Sequence, residues 1–352
     1  MSASNTTSRK LPASLSLDLD NLWCYLKVHG EPEWCSYPSY ISKAIPIILD
    51  FLEAHGQKIT FFVVGEDARR EENVAALAQI IQRGHEIGNH SISHESWMHT
   101  YSEERIMEEI GGAHDLIQSA TGFAPQGFRG PGFAYSPTML NVLKRLGYQY
   151  DASLLPSIIG PLARLYYMWG SRMSRHERAA RSNLFGRASD GFLPLKPFQW
   201  KTDEGELLEI PVTVIPMLRT PFHMSYLIWL SQFSTALALS YFRTGLALCR
   251  LHGVEPSFLL HPLDFLGAED VKGLEFFPGM QLSRQHKLNV AGHVLSALQK
   301  SFDVLPMNEY AKRAQARSLK SRIPLPFESQ PHAQAVDHSR VTELNSRDDA
   351  PV

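Results

Sequence analysis

Between Leu15 and Gly147 short apolar runs alternate with amphipathic stretches, and the amphipathic stretches repeatedly stop at a glycine. Leu15–Leu19 reads as a strand. Ile41–His55 reads as a helix closed by Gly56, and Lys58–Val64, rich in β-branched and aromatic residues, as a buried strand. Glu72–Arg83 is a helix ending before Gly84, with a short strand around Glu86–Gly88. Ser102 opens a helix that ends near Thr121 and Gly122, and Pro137–Leu146 is another that halts at Gly147. Strands and helices at this spacing imply parallel βαβ units, and the alternation runs too far for a small sandwich. The expected fold is therefore α/β, an irregular (β/α) barrel.

With 352 residues, the expected organisation is a flexible leader at 1–10, a barrel domain over 11–312 and a polar, disordered tail over 313–352. The rhythm breaks over about 156–200, an insertion carrying Arg164, Arg172, Arg175, Arg178, Arg181 and Arg187 beside Tyr166, Tyr167 and Trp169. The formal net charge of -2 supplies no basic field, which argues against nucleic acid as a partner. Cys24, Cys35 and Cys249 lack the pairing of a zinc ribbon and are expected to be free thiols. The polar opening residues contain no apolar run behind a basic patch, so a cytoplasmic location is expected. Thr220–Phe242 lacks Lys, Arg, Asp and Glu and is long enough to span a bilayer. Polar residues interrupt it, however, and Leu227, Leu230, Phe233, Leu237 and Tyr241 recur as one buried face of a helix would.

Five short segments carry chemistry. In Asp18-Leu19-Asp20 the strand period of two turns both carboxylates to one side and Leu19 to the other. Like charges that close need a cation or a shared proton, although a calcium-like or capping turn has the same look. His90 and His94, four apart, would share one face of a helical turn and could grip one metal ion. With an aspartate they form a two-histidine, one-carboxylate set, suited to zinc hydrolysis and also to non-haem iron chemistry. Arg129 in Arg129-Gly130-Pro131-Gly132 could fork onto a carboxylate. Asp151 ends one strand-like run, and His261 ends another, Phe258-Leu259-Leu260-His261. A histidine oriented by a carboxylate is a common general acid.

Taken in order, this set resembles the motifs of the polysaccharide deacetylase family (NodB homology, carbohydrate esterase family 4), and the resemblance runs from Leu15 to about Pro262. It implies that Asp18 is the general base, oriented by Arg129, and that Asp20, His90 and His94 hold one divalent ion, with zinc expected and cobalt an alternative. It also implies that His261 is the general acid, tuned by Asp151. Where the family commonly has adjacent aspartates this chain has Asp-Leu-Asp, a spacing similar to that of a divergent branch acting on peptidoglycan-type and lipid-linked sugars. The implied activity is hydrolysis of an N-acetyl or N-formyl group on an amino sugar of a cell-envelope glycan or lipid-linked sugar. Basic and aromatic residues of the insertion, together with the apolar Tyr226–Leu251 stretch, would suit peripheral contact at the inner face of a membrane. A catalytically silent carbohydrate-binding relative and a membrane-anchored protein are the competing readings.

Overall fold

The computed structural model describes residues 10–31, 33–158 and 188–324. Its strands are β1 (Pro12–Leu19), β2 (Thr60–Val63), β3 (Glu86–Asn89), β4 (Gly127–Phe128), β5 (Tyr150–Asp151), β6 (Phe198–Thr202), β7 (Gly205–Glu209), β8 (Ser257–Leu260), β9 (Asp303–Leu305) and β10 (Ser321–Arg322). They form one sheet in the order β10-β6-β7-β5-β4-β3-β2-β1-β8, with β9 beside the start of β1. All pairings are parallel except β6 with β7. The chain leaving β7 carries the curve round towards β8. Ile210 N–H donates to the Asp151 carbonyl at 2.9 Å, Val212 N–H to Leu154 at 2.8 Å and Thr213 N–H to Ser257 at 3.1 Å. This is the irregular barrel that the strand–helix rhythm implied.

The helices are α1 (Leu22–His29), α2 (Ile41–Ala54), α3 (Gly65–Arg69), α4 (Glu71–Gln82), α5 (Glu103–Thr121), α6 (Pro137–Arg145), α7 (Met224–Ser231), α8 (Thr235–Leu251), α9 (Arg284–Ser301) and α10 (Met307–Gln315). Alternation along β1 explains how sheet and helices divide the interior. Leu15, Leu17 and Leu19 enter the core with Ile41, Ile45, Ile48, Leu49 and Leu52 of α2 and with Phe258 and Leu260 of β8. Ser14, Ser16 and Asp18 are buried on the opposite, barrel-inner face. Each large aliphatic chain buried this way contributes roughly 1.5–3 kcal/mol. One face of β1 therefore anchors the strand, which frees the other for polar chemistry.

Three expectations change. Thr220–Phe242 is not one helix with a continuous buried face. The chain breaks between α7 and α8, where the Ser234 side chain caps α8 by accepting from Leu237 N–H, and this turns Phe233 (70% exposed) and Leu237 (52%) outward while Leu227 stays buried. No helix among the described residues is long and apolar enough to cross a membrane. Part of the tail expected from 313 is structured instead, because α10 runs to Gln315 and Ser321–Arg322 pairs with β6. Met307, Tyr310, Ala311 and Ala314 bury a helical stripe there that so polar a stretch conceals. Within the insertion, 188–192 form a 3₁₀ turn and Phe198–Thr202 a strand. Residues 159–187, with the arginines noted above, and 1–9 and 325–352 lie outside the described residues. All three cysteines are free.

Candidate metal and active site

Register brings the chemistry to one end of the barrel. Leu19 of β1 lies opposite Val63, Val63 opposite Asn89, Asn89 opposite Phe128, Phe128 opposite Asp151 and Asp151 opposite Glu209. Asp20, His90 and Arg129 each follow this row directly, at the C-terminal ends of parallel strands where barrel enzymes hold their sites. On the other side of β1, Leu17 pairs with Leu260. The next step along both strands sets Asp18 beside His261.

The two aspartates point to the same side and take different partners. Asp18 Oδ1 receives the Arg129 guanidinium at 2.6 Å, and its Oδ2 lies 4.0 Å from His90 Nε2. Asp20 Oδ1 lies 3.4 Å from His90 Nε2 and 3.1 Å from His94 Nε2, yet this buried oxygen makes no well-directed hydrogen bond. Burial opposes ionisation of Asp20, but His94 and His90 outweigh it and hold the carboxyl well below the usual carboxylate range. The Tyr40 hydroxyl pins the Asp20 backbone carbonyl.

His90 and His94 do not sit on a helical turn as their spacing implied. They flank a loop after β3 in which Ser91 (φ 63°) and His94 (φ 51°) adopt left-handed backbone. That conformation is uncommon for residues with side chains. It is held by Asn89 Oδ1 accepting from Ser91 N–H at 2.8 Å and Ser91 Oγ accepting from His94 N–H at 3.2 Å. The loop is gripped further by Glu109, which accepts from Ser93 N–H, and by Lys27, which donates to the Ser93 carbonyl and pairs with buried Glu95 at 2.5 Å. His90 Nδ1 lies 2.6 Å from the Arg129 carbonyl, so it carries the proton and leaves Nε2 free to ligate.

Among the described residues, Asp20, His90 and His94 form the one group of three or more metal-ligating side chains, with their ligand atoms within 4.8 Å of one another. The donors fit a divalent ion. All three are buried, Asp20 Oδ1 and His94 Nδ1 have no hydrogen-bond partner, and two nitrogens and one oxygen leave coordination positions open, as in catalytic centres. Nearby Cys24 lies outside this group, and burial pushes its thiol well up.

Arg129 is fully buried and spans the barrel interior. Besides Asp18 it donates to Ser16 Oγ at 2.9 Å and to the Ala152 carbonyl at 3.0 Å, and its guanidinium stacks 4.3 Å over the Phe62 ring. A Cβ at Gly88 would come within 2.6 Å of that ring, so only glycine leaves room for the stack.

Asp151 corrects the motif reading. It makes no hydrogen bond to His261. Instead it accepts from the Ser153 hydroxyl and lies against Glu209. Burial pushes Asp151 up to about 6 and Glu209 well up, so the two carboxyls favour holding a proton between them. Glu209 in turn accepts from Leu154 N–H and Trp200 Nε1–H. His261 is half-buried, with its Nδ1 3.2 Å from Ser225 Oγ, and its backbone N–H donates to Asp264 at 2.7 Å. Sequence reasoning missed Ser225, Asp264 and Glu209. An acid three residues after a strand end and one proline, as in His261-Pro262-Leu263-Asp264, is a readable capping signal; Ser225 has none.

Comparison with known proteins agrees with this geometry. The family described as polysaccharide deacetylase matches residues 36–150. That span holds His90, His94 and Arg129 but not Asp18, Asp20, Asp151 or His261. A peptidoglycan-N-acetylglucosamine deacetylase of Bacillus cereus is 34% identical over 99 residues, 28% of this chain and 34% of that protein. A peptidoglycan deacetylase of Helicobacter pylori is 29% identical over 160 residues, 44% of this chain and 53% of that protein. The chain thus spans about a third to a half of these relatives' length. A crystal structure of a candidate polysaccharide deacetylase from Mycobacterium smegmatis shares the fold at TM-score 0.57 and 17% identity, covering 94% of this chain and 97% of that one.

Proposed function

The chain belongs to the polysaccharide deacetylase family, and on that premise we propose that it hydrolyses the N-acyl amide of an amino sugar, with one divalent ion held by Asp20, His90 and His94. One observation carries the reading: two carboxylates two residues apart are committed to opposite partners, Asp20 to the histidine pair and Asp18 to Arg129. A hydrolytic centre needs that division between ligand and base.

A divalent ion in this set, zinc or cobalt by the donor chemistry, supplies Lewis-acid polarisation of the scissile carbonyl and acidifies water. Asp18 takes the proton from the attacking water. Arg129 keeps the Asp18 carboxylate oriented, its fork braced by Ser16 and Ala152. His261, on the neighbouring strand, gives a proton to the departing amine as the C–N bond breaks. The products are a free amino sugar and a carboxylic acid, acetate or formate.

The names of the matched relatives support N-acetylglucosamine units of a cell-envelope glycan as substrate. The test is mass spectrometry of chito-oligosaccharides and muropeptides incubated with the purified protein. The expected products have lost acetyl groups and gained amines, and intact substrates at high enzyme concentration would count against the reading. His261→Ala should slow the amide by on the order of 10²-fold while largely sparing an activated aryl ester, whose leaving group needs no proton.

Exposed Trp229, Phe233 and Leu237 at the α7–α8 corner favour a second reading of the substrate: a lipid-linked amino sugar met by peripheral contact with the inner face of a membrane. Sedimentation with anionic vesicles, lost in Phe233→Ser, would support it. Equal sedimentation of both proteins would remove it.

A further inference from the structure

His261 is set among groups that the motif order did not name. α7 begins beside it, and Ser225, the second residue of that helix, places its hydroxyl 3.2 Å from His261 Nδ1. Asp264, 2% exposed, accepts from the His261 backbone N–H at 2.7 Å, and the same Ser225 hydroxyl lies near enough to its carboxyl to favour the charged form. A hydroxyl has one proton to give. Given to the carboxylate, it leaves the oxygen to accept from Nδ1–H, which fixes the tautomer and leaves His261 Nε2 for the substrate.

We propose that Asp264, acting through Ser225, is the positioning residue that orients His261 and fixes its tautomer, the part that the motif order gives to Asp151. The proposal rests on His261 being the proton donor. In that step the imidazolium transfers its Nε2 proton to the amine nitrogen, which keeps the electron pair of the broken C–N bond. The neutral ring retains Nδ1–H on Ser225 and regains a proton from solvent.

The other charged or titratable groups around the pair do not supply this function. His223, just before α7, has its ring 5.9 Å from that of His261; burial keeps it neutral, with His261 and Arg129 adding to the effect. Burial raises the Asp264 carboxyl, and Lys287 of α9, which donates to the Leu263 and Leu266 carbonyls, only partly opposes that. Tyr25 of α1 also lies near Asp264, and burial holds its hydroxyl protonated. Asp18 reaches His261 from β1 only through adjacency of the strand ends, and Arg129 holds it on the other side. Asp264 is the buried carboxylate that accepts from the His261 backbone and lies beside the side chain on its Nδ1.

The test reads His261 directly. Proton–nitrogen correlation spectra of the metal-loaded full chain, with the His261 signals identified by their loss in His261→Gln, give its tautomer. Neutral His261 should carry its proton on Nδ1. The share of that tautomer should fall in Asp264→Asn and in Ser225→Ala, with recovery in Ser225→Thr and no change in Asp151→Asn. An unmoved His261 in both Asp264→Asn and Ser225→Ala, or a shift only in Asp151→Asn, overturns the proposal. Ser225→Ala removes the relay without touching the Asp264 cap on the backbone, so a folding defect in Asp264→Asn does not shelter the idea. Because the spectra need no turnover, a tautomer that shifts as expected in a protein that deacetylates nothing refutes the hydrolase reading and leaves the relay standing.

Discussion

Arg129→Met is the most informative single change outside the ligand set. Arg129 has no exposed surface, and besides its stack on Phe62 and a 3.6 Å contact with Met307 Sδ it makes three bonds to oxygen: Asp18 at 2.6 Å, Ser16 Oγ at 2.9 Å and the Ala152 carbonyl at 3.0 Å. Methionine replaces the apolar stem and keeps contact with Phe62 but leaves Asp18 buried without its counter-charge. Breaking one side of a buried ion pair costs roughly 3–5 kcal/mol. Abandoning the Ser16 and Ala152 acceptors adds about 1 kcal/mol each. The expected loss is therefore roughly 5–7 kcal/mol, a large share of the ~5–15 kcal/mol that holds a typical protein folded. Arg129→Lys, which keeps the charge and loses the fork, should cost roughly 1–3 kcal/mol and provides a folded variant to measure. The assay is urea unfolding at neutral pH followed by tryptophan fluorescence, combined with Asp18→Asn in a double-mutant cycle. The lysine cycle should show a coupling of at least about 1 kcal/mol. Additivity within about 0.5 kcal/mol would mean that Arg129 and Asp18 stabilise the barrel independently, and the clamp argument would fail.

Asp18→Asn should retain metal while losing roughly 10²–10⁴-fold in turnover, whereas Asp20→Ala should lose metal; elemental analysis of both variants separates base from ligand, and the opposite pattern would exchange the roles. Burial raises Asp151 to about 6 and Glu209 well up, so the stability of this pair is fully present near pH 4 and is lost as pH rises through about 6 and above. Asp151→Asn, which replaces the shared proton with a permanent donor, should flatten the pH dependence of the urea midpoint between those limits; an unchanged slope would count against the pair. Lys27→Met leaves Glu95 buried and unpaired and should cost roughly 3–5 kcal/mol, with weaker metal binding because the His90–His94 loop loses its grip on α1. Unchanged metal affinity in that variant would confine Lys27 to stability.

Local pattern made parts of this protein readable. The period-two run Ser14-Leu15-Ser16-Leu17-Asp18-Leu19-Asp20 places leucines outward and polar groups inward, and the structure follows it. Helices ending at Gly56, Gly84, Gly122 and Gly147 were legible because each glycine has positive φ. Spacing misled at His90 and His94: a four-residue interval suits a helical turn, but Asn89 and Ser91 side chains bend the segment into left-handed backbone. Asp151 was misassigned because its partner Glu209 is set by the β5–β7 register, a long-range contact that spacing does not contain. The Ser225–His261–Asp264 relay depends on where α7 docks against the end of β8, and only packing decides that. The break between α7 and α8 is signalled by Ser234 three residues before Leu237, yet an uncharged stretch reads more readily as one continuous helix.

The central claim is that Asp20, His90 and His94 make an ion-dependent hydrolase of this barrel. Its most direct test is a titration of chelator-stripped protein with zinc or cobalt, in which bound metal and release of acetate from an N-acetylated glycan are followed together. The account predicts that release is absent without metal and rises in step with binding up to about one ion per chain. His94→Ala should bind weakly and stay inactive across the same range. Full acetate release by protein shown to be metal-free, or saturation of a metal site that His94→Ala leaves untouched, would contradict it.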